Sequence, residues 1–387
     1  MSEGRFSLPA EVEEFRALVR EIVEERIGLA RAAEIDESDE FPWDVHKVFV
    51  DHELMAVGFP EAYGGGGGGS LEVAVMIEEI SRVTAGCALI PLVSRLGAMP
   101  VLLAGSEELK RELVGGISRG EHLMAYCLTE PGSGSDSAAL RTRFERTSAG
   151  FVLSGTKRFI TGAGVADAYT VFATRDPELR ARGISAFVVF RDDPGVSFGK
   201  EERKMGVRGS PTREVYFDRT EIPADRLIGE LDQGFTYAMR TLDYSRPTIA
   251  AQALGIAQGA FDLALRYARE RKQFGQPISE FQGVQFMLAD MAMQIEAARL
   301  MVYRAAELVD RGDPRMTQWA SMAKCFASDV AMRVTTDAVQ VLGGYGYMRE
   351  YHVERMMRDA KITQIYEGTN QIQRVVIARE LLKALPG

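Results

Sequence analysis

A carboxylate near the end of the sequence has neighbours that would suit a catalytic base. Glu367 lies in QIYEGTNQIQRVV, residues 364 to 376, between Tyr366 and Gly368, and a helical pattern follows Asn370. Glycine leaves the backbone open to close approach by another molecule. If Glu367 is buried in an apolar slot, its pKa rises toward neutrality, and the carboxylate could remove a proton from a substrate carbon. If it lies on an ordinary turn, it is a solvated acid. The stretch itself leaves both interpretations open.

A loop rich in glycine and serine could bind a cofactor. LTEPGSGSD, residues 128 to 136, follows the apolar run LMAYC. Exposed backbone N–H groups and hydroxyls in such a loop can surround a polar, planar or anionic ligand. The loop has no Gly-Lys-Ser/Thr of a P-loop, and neither GSGSDS nor GAGVAD completes the G-x-G-x-x-G of a dinucleotide fold. Composition alone supports an ordinary turn and a ligand loop equally.

Two further segments place polar or aromatic residues at helix ends. In RKQFG, residues 271 to 275, Arg271 could meet a phosphate and Phe274 could stack on a ring, but a capped helix end with a core phenylalanine is the favoured interpretation. QVLGGYGY, residues 340 to 347, is typical of a glycine C-cap. The four histidines have no ligand spacing, and no metal site or nucleophile–histidine pattern is predicted.

Composition excludes some classes of protein. The 387 residues carry a net charge of −9, which argues against a nucleic-acid-binding protein. Three distant cysteines predict no disulfide framework and fit a reduced, cytoplasmic setting. The N-terminal residues show no signal peptide pattern. The most apolar segment, around AGCALIPLVS, is bounded by Arg82 and Arg95, and we expect it to be too short to span a membrane.

The apolar periodicity divides the chain into three regions. Helical patterns over 11–30, 45–55 and 71–82 predict an all-α domain over residues 1–120, with the glycine run at 64–69 as a surface turn. Short β-rich runs predict an antiparallel sandwich or barrel over residues 121–230. Long helical patterns over 249–269, 285–309, 328–342 and 371–385 predict a four-helix bundle over residues 231–387. The fold class is therefore α+β multidomain.

Six segments together resemble the acyl-CoA dehydrogenase family. Each alone is a weak signal, but their order along nearly the whole chain is specific. The segment LDYSRPTIAAQALGIAQGA resembles the short- and medium-chain branch, particularly its actinobacterial members. The six segments are residues 126–136, 157–162, 271–275, 340–344, 358–362 and 365–373.

The resemblance implies a helical domain, a β domain and a four-helix bundle, usually in a homotetramer, with FAD where the β domain meets the helices. It also implies FAD contacts, some of them from a neighbouring subunit, and contacts to an acyl-CoA substrate. The family commonly has tryptophan where Phe159 stands. The implied FAD contacts are Tyr126, Leu128, Thr129, Ser135, Phe159, Ile160, Thr161, Arg271, Gln273, Phe274, Gln282, Gln340, Gly344, Thr369 and Gln371. The implied substrate contacts are Ser135, Asp243, Arg246 and Gly368.

The resemblance also assigns a role to Glu367. It matches the base that removes the α-proton of the thioester while hydride leaves the β-carbon, and its backbone N–H would bind the thioester oxygen. In one branch of the family, the base stands at the position of Ser245, which cannot serve. Electrons would pass to an electron-transfer flavoprotein. The alternatives are an oxidase on the same fold and a non-catalytic thioester-binding scaffold.

The resemblance further predicts where the acyl chain ends. Ala88, Leu89 and Leu92 should line the far end of the acyl slot, on a helix that Pro91 could bend. Because these side chains are apolar, we expect saturated short- to medium-chain substrates without a charged distal group.

Overall fold

The computed structural model describes residues 8–383. The first seven residues and the last four lie outside the described part, and so does the end of the helix predicted over 371–385.

The first region of the chain is helical. α1 buries Val12, Val19, Ile22 and Val23, which the apolar periodicity places on one face. The single helix predicted over 11–30 is wrong, because the chain turns at Gly28, whose φ of +65° favours glycine. The helices are α1 Ala10–Arg26, α2 Gly28–Ser38, α3 Trp43–Asp51, α4 Ser70–Ser81, α5 Ala85–Ala104, α6 Glu107–Leu109 and α7 Gly115–Ser118.

The glycine run is a hydrogen-bonded surface turn that leads into α4. Gly58 and Gly67 are joined by a backbone hydrogen bond of 2.7 Å. The carboxylate of Asp310 accepts the N–H groups of Ser70 (2.6 Å) and Leu71 (3.2 Å). Because Asp310 caps α4, these amides are not free to bind a phosphate.

The middle region forms one eight-stranded sheet in the order β6-β7-β3-β2-β4-β5-β8, with β1 also paired to β4. Most pairs are antiparallel, as predicted, but β1–β4 and β2–β4 are parallel. The strands are β1 Met124–Cys127, β2 Arg143–Arg146, β3 Gly150–Thr161, β4 Ala168–Thr174, β5 Ile184–Phe190, β6 Val196–Phe198, β7 Thr212–Pro223 and β8 Leu227–Ile228.

α5 joins the helical region to the sheet. Gly97 lies so close to β1 that a Cβ there would come within 2.9 Å of the Ala125 nitrogen, and its carbonyl accepts the hydroxyl of Thr170 at 2.7 Å. The apolar segment is longer than predicted, because Arg95 lies inside the helix rather than at its end. α5 and a later helix, α8 (Gly234–Glu270), are long and apolar enough to span a membrane, but 72% of each apolar window is buried inside the protein, as expected for core helices.

The last region contains the four long helices predicted for the bundle, together with a shorter one, α11. α8 begins 15 residues before the predicted start at 249, because Pro247 lies within the helix instead of ending it. The helices are α8 Gly234–Glu270, α9 Gln282–Asp310, α10 Met316–Leu342, α11 Val353–Thr363 and α12 Asn370–Lys383, with a hairpin of β9 Lys272–Gln273 and β10 Gln276–Pro277 between α8 and α9.

Candidate active site

A cleft of about 430 Å³ lies where the three regions meet. The walls combine α5, β1, β3, α8 and α12 with the 128–136 loop and the turn that carries Glu367. Predicted site residues that line the cleft are Tyr126, Leu128, Thr129, Ser135, Phe159, Thr161, Asp243, Arg246, Glu367 and Gly368.

The turn between α11 and α12 presents Glu367 to the cleft. Glu367 and Gly368 both have positive φ, +52° and +92°, and the glycine adopts this conformation without strain. The side-chain amide of Gln373 donates to the carbonyls of Glu367 (3.1 Å) and Gly368 (3.0 Å). Among the described residues, no acceptor receives the N–H of Glu367 or Gly368. Two donors are therefore available to a ligand.

The carboxylate of Glu367 is desolvated. Its Oε2 accepts the hydroxyl of Ser245, whereas Oε1 is buried with no hydrogen-bond partner in the described part of the chain. Burial raises the pKa of Glu367 to about 7, although the Ser245 hydrogen bond and the charges of Arg246 and Lys324 oppose it. The solvated-acid interpretation of Glu367 is therefore wrong.

A buried ion pair holds the loop at residues 128–136. Lys157, on β3, is fully buried and donates to Glu130 (2.7 Å) and to the carbonyl of Leu128 (3.1 Å). Glu130 also accepts the N–H groups of Arg141 (2.6 Å) and Thr142 (3.0 Å). The loop is thus tied to the sheet at its base, while Gly134 and Ser135 line the cleft.

An irregularity in β3 presents an aromatic ring to the cleft. The β3–β7 register shifts between Lys157 and Ile160, and Phe159 has a φ of +56°. Phe159 is 58% exposed, with the guanidinium of Arg158 over its ring at 4.8 Å. Thr161 also lines the cleft, whereas the side chain of Ile160 is buried in the core. Any contact of Ile160 with a ligand would thus use its backbone.

An ion pair on α8 forms a polar corner of the cleft. Arg246 is 5% exposed and donates to Asp243 at 2.8 Å, and Asp243 accepts the hydroxyl of Thr317 at 2.7 Å. Burial lowers the pKa of the Arg246 guanidinium, against the attraction of Asp243 and Glu367. This corner offers charge and hydrogen bonds beside an otherwise apolar wall.

A second group of predicted residues lies in a separate surface pocket of about 460 Å³. Arg271, Gln273 and Gly344 line it, and the Arg271 guanidinium lies 5.1 Å from the ring centroid of Tyr345. The core interpretation of Phe274 is wrong, because this side chain is 94% exposed. Gln282 and Gln340 are also exposed. The described chain therefore does not bring this group together with Glu367.

Four other predicted residues line neither space, namely Thr369, Gln371, Ala88 and Pro91. Thr369 and Gln371 flank the start of α12. Ala88 is fully buried and does not line the cleft, whereas Leu89 and Leu92 do. Pro91 lies within α5, which continues past it.

Sequence reasoning missed two polar residues near Glu367. Thr317 holds Asp243, and Lys324 lies behind the Glu367 turn. Lys324 falls with Ala320 and Ala327 on the buried face of α10. A lysine on an apolar helix face is the signal that could have identified it.

Models of the acyl-CoA dehydrogenase family match nearly the whole chain. The N-terminal domain model matches residues 9–121, the middle domain residues 125–220 and the C-terminal domain residues 232–382.

Individual proteins are similar over the same length. A probable acyl-CoA dehydrogenase, FadE25, of Mycobacterium tuberculosis is 52% identical over 98% of this chain and 97% of its own. Cyclohexane-1-carbonyl-CoA dehydrogenase of Geobacter metallireducens is 48% identical over 98% of this chain and 99% of its own. The structure of butyryl-CoA dehydrogenase from Megasphaera elsdenii superimposes with a TM-score of 0.94 at 41% identity, covering 98% of this chain and 100% of that one. The resemblance seen in the six segments is confirmed: the chain belongs to the acyl-CoA dehydrogenase family of FAD-binding oxidoreductases.

Proposed function

We propose that this protein converts a saturated acyl-CoA thioester to the trans-2-enoyl-CoA and passes the electrons to an electron-transfer flavoprotein. The observation that carries the proposal is the free, buried Oε1 of Glu367 in a cleft with apolar walls. A carboxylate with a pKa near 7 is largely ionised at slightly alkaline pH and is still basic enough to accept a proton.

The cleft fits FAD. Gly132 and Gly134 have open space where a side chain would stand, so the 128–136 loop allows close approach of a large planar group. The exposed ring of Phe159 supplies an apolar surface, and the hydroxyls of Thr129, Ser135 and Thr161 supply hydrogen bonds. When bound, FAD supplies the acceptor for the hydride that leaves the β-carbon.

The protein's own groups would activate the α-carbon. Glu367 would take the α-proton on Oε1, while its Oε2 stays hydrogen-bonded to Ser245. The unpaired N–H of Glu367 or of Gly368 would donate to the thioester oxygen and stabilise the negative charge that develops there. Both functions come from one turn, which fixes the base relative to the donor.

The walls favour an unbranched or compact apolar acyl group. The cleft is lined by Leu89, Leu92 and Leu96 of α5 and by Ile249 of α8. The similar proteins named above act on butyryl and cyclohexane-1-carbonyl thioesters, by their names. We therefore propose short- to medium-chain saturated substrates without a charged distal group.

Anaerobic titration of the yellow protein with a panel of thioesters tests this proposal. We expect butyryl-, hexanoyl- or octanoyl-CoA to bleach the flavin faster than glutaryl-CoA or palmitoyl-CoA does. Cyclohexane-1-carbonyl-CoA in the same panel tests whether the cleft accepts a ring-shaped acyl group instead of a linear one. Bleaching by none of these compounds would contradict the proposed reaction, and faster bleaching by glutaryl-CoA would contradict an apolar acyl end. NAD should not reoxidise the flavin, and steady peroxide formation in air would instead indicate an oxidase.

We further propose a cytoplasmic homotetramer in which the surface pocket binds the diphosphate part of a neighbouring subunit's FAD. Arg271 is the charged residue that lines this pocket, and the exposed Phe274 lies 6.0 Å from Phe281, ring centroid to ring centroid. An exposed aromatic residue beside an arginine is typical of an interface rather than of a free surface.

Replacing Arg271 with alanine should weaken both FAD retention and the oligomer. A hydrogen bond to a charged group contributes about 1.5–3 kcal/mol, so we expect FAD affinity to fall at least about tenfold. Ultrafiltration measures FAD retention, and sedimentation velocity measures the oligomer. Arg269→Ala, at an exposed position two residues earlier that does not line the pocket, is the matched control. A monomeric wild-type protein that retains FAD fully would rule out this assignment.

A further inference from the structure

Lys324 is a fully buried cation directly behind the turn that carries Glu367. Its Nζ donates to the carbonyl of Gly368 at 2.7 Å and to the side-chain oxygen of Asn370 at 2.9 Å. Neither acceptor carries a charge. In contrast, the other fully buried lysine, Lys157, is paired with a carboxylate at 2.7 Å. Burying a charge without a paired counter-charge is unfavourable, so such a lysine calls for a functional explanation.

The contacts of Lys324 fix the geometry of the turn. Asn370, the first residue of α12, is buried and is held by Ser328 (2.8 Å) and Asp329 (2.8 Å) of α10. Lys324 therefore connects α10 to the turn at Gly368 and to α12 at Asn370. Lys324 and Gln373 both donate hydrogen bonds to the carbonyl of Gly368. The carbonyl of a residue shares a planar trans peptide with the N–H of the next residue. Lys324 therefore fixes the peptide between Gly368 and Thr369, next to the peptide between Glu367 and Gly368 that Gln373 holds through the Glu367 carbonyl.

The charge of Lys324 also acts on Glu367. Burial lowers the pKa of Lys324 to about 8, and Glu367 is the nearby charge that most opposes this change. In turn, Lys324 is one of two cations that lower the pKa of Glu367, the other being Arg246. Arg246 already has a close carboxylate partner in Asp243, whereas Lys324 has none among its hydrogen-bond acceptors. The other charged or titratable groups near Glu367 or Lys324 are Tyr126, Tyr366, Cys325, Asp329 and, through Arg246, Asp243 and Arg379.

We infer that Lys324 is a positioning residue for Glu367: it holds the turn through Gly368 and Asn370, and its charge keeps the base ionised. The inference rests on the proposed function, because it assumes that Glu367 accepts a proton. Lys324 itself does not line the cleft, so its effect on the reaction is exerted through the turn and through its electric field.

The variant Lys324→Met tests the role of the charge. Glu367 must be ionised to accept a proton, so the rate of flavin reduction should rise as pH increases through its pKa. Removing a nearby positive charge destabilises the carboxylate and raises that pKa. We expect the rising limb to move up by at least about one pH unit, which lowers the rate at least about fivefold near pH 7 and leaves it largely recovered near pH 9. Stopped-flow flavin reduction by the best thioester, from about pH 6 to about pH 9, measures this.

Two further variants separate the charge from the packing. Lys324→Gln retains a hydrogen-bond donor but lacks the charge, so it should share the shifted pH profile with less loss at high pH. Lys204→Met is the matched control, because Lys204 is a largely buried lysine 3.9 Å from Asp39 and does not line the cleft. The Lys204→Met variant should leave the pH dependence of flavin reduction unchanged. A rate that falls equally at every pH in both Lys324 variants would show a purely structural role and overturn the inference.

A measurement independent of activity distinguishes failure of the inference from failure of the proposed function. Infrared difference spectra recorded against pH on the FAD-loaded protein report the protonated carboxyl of Glu367, identified by its loss in Glu367→Gln. The pH at which half of this carboxyl has lost its proton should be higher in Lys324→Met than in the wild type. An unmoved midpoint overturns the inference, even if thioesters bleach the flavin. A raised midpoint in a protein that no thioester bleaches supports the electrostatic coupling and contradicts the proposed reaction.

Discussion

Glu367→Gln should remain yellow and bind acyl-CoA, yet hardly bleach. Glutamine keeps the size of the side chain and a polar contact to Ser245, but it cannot accept the α-proton. Loss of a positioned general base typically lowers the rate about 10²–10⁴-fold. The loss should lie toward the upper end of this range, because Oε1 is buried and water has poor access to replace the base. Anaerobic stopped-flow reduction with the best thioester measures the effect, and the flavin spectrum with bound ligand reports binding.

Glu350→Gln is the matched control for this experiment. Glu350 lies on an exposed turn of the same region, so its amide variant should bleach at the wild-type rate. Reduction of the Glu367→Gln variant at more than about a tenth of the wild-type rate would show that another group removes the proton, since that loss is below the range for a general base.

Lys157→Met should strongly destabilise the protein. The substitution removes the cation from a buried pair and leaves the carboxylate of Glu130 with the N–H groups of Arg141 and Thr142 as its partners. Breaking a buried pair on one side typically costs about 3–5 kcal/mol, because the remaining charge stays desolvated. Urea unfolding followed by circular dichroism measures the loss. Because Glu130 anchors the 128–136 loop, FAD retention should fall in parallel.

The double variant Lys157→Met/Glu130→Gln separates the buried charge from lost packing. It removes both charges, so it should recover a large part of the stability that the single variant loses. Lys200→Met, at an exposed lysine, should change the free energy of unfolding little, within about 0.5 kcal/mol. A single variant as stable as the double variant would show that the Glu130 carboxylate is solvated or protonated when Lys157 is absent.

Local patterns predicted elements best where one periodicity covered a whole element. α4 and the four long helices of the last region follow the apolar spacing, although their ends shift, whereas the pattern over 11–30 covers α1 and the start of α2. The predicted start at 249 is 15 residues too late, because α8 continues through Pro247, a residue type that usually ends or kinks a helix. The parallel pairing of β1 with β4 was missed because strand partners are set by long-range contacts.

The exposed Phe274 shows a different limit of sequence reasoning. A phenylalanine at a helix end is usually buried, but here it is 94% exposed in the single chain. Its environment depends on whether a second subunit covers it, and the local pattern of one chain does not contain that information.

The sequence by itself determined the family and the order of helical and β regions, and through the family resemblance it made Glu367 the candidate base, because these depend on residue types in a fixed order. Only the tertiary structure decided that Glu367 is desolvated, that Ser245 binds one carboxylate oxygen and that Lys324 lies behind the turn. Ser245 is 122 residues away from Glu367 in the chain, and Lys324 is 44 residues away from Gly368. The physical reason is that burial and charge–charge interactions depend on distances in three dimensions, which local sequence patterns do not specify.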